Sequence, residues 1–396
     1  LILTTLFNEE SKFKQTIDNG LKILNDEIND TTNELFSGDI AFKLYDTYGF
    51  PLDLTQDYLK TKNMNVDLKQ FDSNMVLQKE RARRSWKGTG DIADENIWLK
   101  LTESLESTDF IGYENEIAEC NISKIILNNS EINSLKFNDE AFIILNQTPF
   151  YAESGGQIGD RGKLENENFI FNVINTTKIF GRYFLHCGNV IKGTCKINDQ
   201  LTASININKR NLIKNNHSST HLLQAALKKI LGNHISQKGS LVNAEKLRFD
   251  FSHSQQISSN DLEKIELLVN DIIKQNHPIK IQILDHQSAI NEGAIALFGE
   301  KYGQEVRVVS MGELDNKFFS KELCGGTHVN NTGEINKFKI INQSPVSSGV
   351  RRLEAVTNME VDNYNKNLSI KNTINTIKIK KELDTYLALL NKINSK

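Results

Sequence analysis

Apolar residues recur at three- and four-residue steps from the start of the chain: Leu6, Phe7, Phe13, Ile17, Leu21, Leu24 and Ile28. A helix that buries one face has this spacing. A second helix is predicted from Leu68 to Trp86, ended by Gly88-Thr-Gly90. Between them, Ala41 to Asp53 is a short apolar stretch stopped by Gly49 and Pro51. Residues 1–108 thus read as a helical domain.

From there the period shortens. Ile117 to Leu127, Glu140 to Leu145, Phe169 to Val173 and Arg182 to Cys187 alternate or run in β-branched and aromatic residues, with glycine turns between them. Residues 109–206 are expected to form a small antiparallel barrel or sandwich. Residues 207–357 mix both periods, as an α+β domain does. Asn216 is the predicted N-cap of a helix carrying Leu222, Leu223, Ala226, Leu227 and Ile230, closed by Gly232. Leu247, Phe249 and Phe251 face one way along a strand, Arg248 and Asp250 the other. Asn260, with Glu263 three residues on, is the predicted cap of the next helix. Strands are expected again at Ile279 to Leu284, Val306 to Val309 and Phe338 to Ile341. Residues 358–396 read as the start of a helical hairpin or coiled coil, with Leu383, Leu387, Leu390 and Ile393 at helical steps.

The chain has 396 residues, enough for two or three domains, and 38% of them are hydrophobic. A net charge of −3 excludes a uniformly basic nucleic-acid coat but leaves room for a local basic face. No apolar run is long enough to span a membrane, and no signal-peptide pattern opens the chain. Four irregularly spaced cysteines make no disulfide framework, which fits a reducing cytoplasm. Because the chain starts at Leu1, already inside a helical pattern, it is expected to be a piece of a longer protein.

The chemistry concentrates in two pairs. His217 and His221 lie four apart at what is predicted to be the start of a helix, so both imidazoles leave one face a turn apart. Cys324 and His328 repeat the separation around Gly325-Gly326, which suits a tight loop. One cysteine and three histidines are a tetrahedral zinc donor set. A metalloprotease helix needs glutamate directly after its first histidine, and Ser218 stands there, so that chemistry is excluded.

The surrounding blocks resemble the editing domain of the alanyl-tRNA synthetase family: Asn216-His-Ser-Ser-Thr-His-Leu-Leu, Ser236-Gln-Lys-Gly-Ser-Leu-Val, Leu247-Arg-Phe-Asp-Phe-Ser-His, Gly293-Ala-Ile-Ala-Leu-Phe-Gly-Glu-Lys-Tyr, Glu322-Leu-Cys-Gly-Gly-Thr-His and Gly349-Val-Arg-Arg-Leu-Glu-Ala. Tyr151-Ala-Glu-Ser-Gly-Gly-Gln-Ile-Gly-Asp is similar to the glycine-rich segment of the family's preceding barrel, and Leu44 to Thr55 looks like its tRNA-recognition domain. The resemblance covers nearly the whole chain, as part of the recognition domain, the editing domain and the start of the C-terminal helical region.

It implies that the full protein joins alanine to tRNA(Ala) with ATP and magnesium in a ligase domain upstream of this chain. It implies that this part binds tRNA, not DNA or membrane, and hydrolyses seryl- or glycyl-tRNA(Ala) at a zinc site held by His217, His221, Cys324 and His328. An alanine pocket rejects glycine by only about 1–3 kcal/mol and discriminates poorly against serine, so a second, hydrolytic site is needed. Thr220 and Gln237 match positions near the bound amino acid. The alternatives are a helix threonine bonding its own backbone and a surface glutamine. Arg351 or Arg352 is expected to hold the terminal phosphate or ribose, unless both are ordinary surface arginines. Lys79 to Lys87 concentrates five basic residues against one acid, with Arg81 and Arg84 on one face for RNA phosphates or simply for solvent. By resemblance Asp53 reaches a wobble pair in the acceptor stem; alone it reads as a helix cap. Two further functions stay open: a zinc-stabilised tRNA-binding module without catalysis, and a free-standing editing hydrolase.

Overall fold

The computed structural model describes residues 2–29, 35–85, 98, 100, 105–296 and 303–394. The chain divides into two compact units, residues 1–95 and 96–396.

In the first unit, helices α1 (Ile2–Asn29), α2 (Gly38–Tyr48), α3 (Leu52–Lys60) and α4 (Leu68–Ser85) surround Leu24, Phe36, Leu44, Phe50, Leu59 and Phe71. Gly49 ends α2 in the left-handed conformation (φ 68°) and its N–H returns to the Leu44 carbonyl. Pro51 then fixes the entry to α3. The apolar stripe of α1 is buried only in part: Ile17, Leu21 and Leu24 pack inward, while Leu6, Phe7 and Phe13 are exposed. The predicted stop at Gly88-Thr-Gly90 lies outside the described residues.

The second unit opens with a closed antiparallel barrel. Strands β1 (Ile117–Leu127), β2 (Glu140–Leu145), β3 (Gly162–Asn166), β4 (Phe169–Ile179), β5 (Tyr183–Lys192) and β6 (Gln200–Ile205) run in the order β6-β3-β4-β5-β2-β1, and β6 pairs back to β1. Closure resolves the choice between barrel and sandwich and removes the edges that a flat sheet would leave. Inward residues, among them Ile122, Ile143, Leu164, Phe171, Val190 and Leu201, fill it. The β4–β5 hairpin is longer than the predicted strands because a bulge at Val173/Asn175 lets pairing continue to Ile179.

His186 on β5 is fully buried, with Nδ1 2.9 Å from the Ile143 carbonyl and Nε2 2.7 Å from Thr148 Oγ1. The carbonyl can only accept, so Nδ1 carries the proton and the threonine hydroxyl donates to Nε2. Burial holds its pKa down at about 4, against an ordinary 6.5. Below pH 6.5 the unfolded chain takes up a proton that the folded barrel refuses. The His186 contribution is therefore complete above pH 6.5 and shrinks as pH falls toward 4, by about 3 kcal/mol in all. Denaturant unfolding across that range should show the loss in the native chain and a shallower one in His186→Gln.

The α+β part contains α5 (Ile207–Leu231), β7 (Gln237–Val242), β8 (Leu247–Ser252), α6 (Ser259–Lys274), β9 (Lys280–Asp285), α7 (His286–Asn291), β10 (Glu305–Leu314), β11 (Lys317–Leu323), β12 (Phe338–Ser347), β13 (Val350–Thr357) and the long α8 (Met359–Asn394). One sheet runs β7-β8-β13-β12, the other β9-β10-β11. Leu222, Leu223, Leu227, Phe249, Phe251, Ile265, Val269 and Leu353 form the core between helices and sheet. Among the described residues no helix is long and apolar enough to cross a membrane.

Two caps differ from expectation. α5 begins at Asn206, whose side chain accepts the Lys209 N–H, so Asn216, His217 and His221 are well inside the helix rather than at its start. The mostly polar stretch from Asn208 to Asn215, broken only by Leu212 and Ile213, hid this first half, because its buried Arg210 is satisfied by an ion pair instead of apolar contact. α6 is capped by Ser258, which accepts the Asp261 N–H, and not by Asn260. The helix thus starts two residues early.

Candidate metal centre

The middle of α5 presents His217, Ser218 and His221 to the loop after β11, which carries Cys324 to His328. The four donor atoms of His217, His221, Cys324 and His328 lie within 4.8 Å of one another. Cys324 Sγ is 3.5 Å from His217 Nε2 and 3.3 Å from His328 Nε2. Tetrahedral zinc with ordinary Zn–N and Zn–S lengths sets donor–donor edges of about 3.3–3.6 Å, and the two Cys324 contacts fall in that range.

Each imidazole is gripped from behind through Nδ1. His217 donates to Gln157 Oε1 at 2.7 Å, His221 to Glu322 Oε2 at 2.7 Å, and His328 to Ser218 Oγ at 3.1 Å. Such partners fix the tautomer and leave Nε2 free for a metal. His221 Nε2 is buried without a hydrogen-bond partner, the signature of a donor that awaits an ion. The residues present fit zinc.

Electrostatics agree. Burial alone raises the Cys324 thiol, but His217, His328 and His221 together outweigh it and hold the pKa well below the ordinary value, favouring the thiolate that zinc takes. Burial opposes charge on His221, yet the carboxylate of Glu322 and the Cys324 sulfur prevail and raise it to about 10. Burial and then His217 depress His328 to about 3. Ser320 donates to the other Glu322 oxygen, so this buried carboxylate is held at both ends.

The loop around Gly325-Gly326 is clamped from two sides. Arg307 Nη1 donates to the carbonyls of Cys324 and Gly326 at 2.9 and 3.1 Å, and Tyr113 Oη donates to Gly325 at 2.6 Å. The Arg307 guanidinium also lies over the Tyr113 ring, 4.4 Å from its centroid. A Cβ at Gly326 would stand 2.0 Å from His217 Cε1, so this close approach requires glycine.

The barrel supplies the opposite wall. Phe110, Tyr151, Phe184 and Lys178 face His217, His221 and Cys324 across a cavity. Arg210 of α5, fully buried, donates to both Asp160 carboxylate oxygens and to the carbonyls of Gly112 and Pro149, locking helix to barrel.

The other expected residues are dispersed. Thr220 is buried and donates to the Asn216 carbonyl at 2.9 Å, the backbone bond that was its alternative reading. Gln237 opens β7, and neither residue is among those lining the cavity. Arg352 forms a two-pronged ion pair with Asp250 at 2.7 and 2.8 Å, while Arg351 is half-buried on β13. Asp53 is exposed in the first turn of α3, where Pro51 holds the cap position, and it accepts the Leu54 N–H. Arg81 and Arg84 fall in α4, but their side chains lie outside the described residues, as does the end of the Gly293 to Tyr302 block. Gln157, Glu322, Arg210 and Arg307 were not singled out from sequence. The first two stand inside quoted blocks, and a buried polar residue flanking histidine motifs was the available signal.

Residues 306–354 match the threonyl and alanyl tRNA synthetase second additional domain. The chain is 44% identical over 362 residues to the alanine--tRNA ligase of Parvibaculum lavamentivorans, covering 90% of this chain and 41% of that protein. It is 46% identical over 370 residues to the alanine--tRNA ligase of Chelativorans sp. strain BNC1, covering 92% and 42%. The chain thus spans about two-fifths of the length of these relatives. The family of class II (A) tRNA synthetases matches residues 1–209, over half the sequence, and the chain belongs to that family.

Proposed function

We propose that this chain hydrolyses the ester of wrongly charged seryl- or glycyl-tRNA(Ala) at a zinc site formed by His217, His221, Cys324 and His328. The observation that carries the reading is the cluster's position: three of its four donors line a cavity shared with the barrel instead of being sealed in the core. Four protein ligands held at once make a closed structural site, so catalysis here requires one donor to leave or a water to act from the side, and the adjoining cavity supplies the space for it. This favours hydrolysis over a zinc-stabilised binding module.

Zinc bound there would supply Lewis acidity toward the ester carbonyl or a water. The chain's residues supply orientation. Glu322 and Ser320 hold His221, Gln157 holds His217, and the aromatic wall of Phe110, Tyr151 and Phe184 limits access of bulk water. Thr220, whose own proton goes to Asn216, is proposed to meet a serine hydroxyl as an acceptor, and Gln237 to assist from β7. Asp53, Arg81, Arg84 and Arg351 are proposed to contact tRNA; Arg352 joins them only if its pair with Asp250 is shared. The intact protein is proposed to be an alanine–tRNA ligase, using ATP and magnesium in a region beyond this chain. The proposed domain limits are 1–108, 109–206, 207–357 and 358–396. Four free cysteines suit a cytoplasmic setting.

The purified chain should release serine from seryl-tRNA(Ala), lose that activity to a strong chelator and regain it with zinc. Undiminished tRNA binding with no hydrolysis in the zinc-loaded chain would instead establish the binding module.

A further inference from the structure

We infer that Gln157, a residue of the barrel loop, is a positioning residue of the metal centre, so that the barrel is a working part of the zinc site and not merely its neighbour. The inference rests on the zinc reading above.

Two of the three imidazoles are held from within the α+β part, His221 by Glu322 and His328 by Ser218. His217 alone depends on the barrel. Gln157 is fully buried, and its side-chain hydrogen bonds all go to His217 and Thr327. Its Oε1 accepts from His217 Nδ1 at 2.7 Å and from the Thr327 N–H at 2.9 Å, while Nε2 meets Thr327 Oγ1 at 2.9 Å. The backbone N–H can only donate, so the carbonyl end of the amide must face it. That orientation forces the proton of His217 onto Nδ1 and bares Nε2 toward Cys324. One side chain therefore sets the tautomer of one ligand and the backbone position between two of the other three, Cys324 and His328.

The loop that carries Gln157 cannot drift. Ser154 and Gln157 exchange backbone hydrogen bonds, Ile158 donates to the Val242 carbonyl, and Val242 donates to Gly156 at 2.7 Å. Gly156 adopts φ 85°, and a Cβ there would press to 2.6 Å from the Ser240 carbonyl. The loop is thus docked on β7 on one side and on the metal ligands on the other.

The test reads zinc affinity without tRNA, by competition with a chromogenic chelator. Gln157→Leu removes both acceptor contacts at similar volume and should weaken zinc by about 10–100-fold. Gln157→Glu keeps the acceptor for His217 and Thr327, and the Thr327 hydroxyl can turn to donate, so affinity should return to the native value. Thr202→Ala, which removes a surface bond to Glu119 elsewhere on the barrel, controls for barrel stability, with thermal unfolding recorded for every variant. Native affinity in Gln157→Leu, or equal losses in the Leu and Glu variants, would overturn the inference. A native chain that binds zinc tightly yet leaves seryl-tRNA intact would sink the proposed function and leave this role standing.

Discussion

Replacing Cys324 and His328 together by alanine is expected to abolish zinc binding and slow hydrolysis of seryl-tRNA(Ala) by at least ~10³-fold, a barrier increase of about 4 kcal/mol. The loss follows from what is left. His217 and His221 remain one turn apart on α5, but two imidazole nitrogens without the thiolate form neither a tetrahedral set nor a charge balance for a divalent ion. Glu322 keeps His221 in place, so the helix itself should not unfold. Binding of uncharged tRNA, measured by filter retention, should persist, since no lysine or arginine is removed. Undiminished deacylation by the double variant would refute the assignment of these residues to the chemistry.

The second large effect concerns stability. Arg210→Met should destabilise the second unit by about 3–5 kcal/mol, because it strands the buried Asp160 carboxylate without its counter-charge. The carbonyls of Gly112 and Pro149 lose their donor in the same stroke. Adding Asp160→Asn should restore part of the loss: the second change removes the uncompensated charge while its amide oxygen can still accept the Tyr151 N–H. Urea unfolding of the single and double variants separates these terms. An Arg210→Met chain as stable as the native one would mean that the ion pair does not hold α5 to the barrel.

How far the sequence reached can be argued from individual residues. Leu247, Phe249 and Phe251 alternate with Arg248 and Asp250, and period two placed that strand correctly. The His217, His221, Cys324 and His328 cluster was legible as a candidate because a repeated four-residue spacing is a local property. The start of α5 was not, since nothing nearby in the chain reveals that Arg210 will meet Asp160, fifty positions earlier. The same holds for Gln157, whose partners His217 and Thr327 are 60 and 170 positions away. Thr220 lay between: its chemistry was legible, but only the fold tells which of two acceptors, substrate or backbone, takes its proton. The α1 stripe shows the reverse error, for a helical period reports a face fit for burial and not whether anything covers it.

The distance along the chain between the histidine pair and the Cys324–His328 pair has a consequence for synthesis. Cys324 follows His217 by 107 positions, so at about 5–20 residues per second the ribosome releases the histidine pair some 5–20 s before the thiolate appears. Throughout that interval the barrel, Gln157 included, is already complete in sequence, and the emerging helix can dock on it through Arg210. The nascent chain therefore builds two walls of the candidate metal site first, and the arrival of Cys324 and His328 becomes the closing event of this domain's birth.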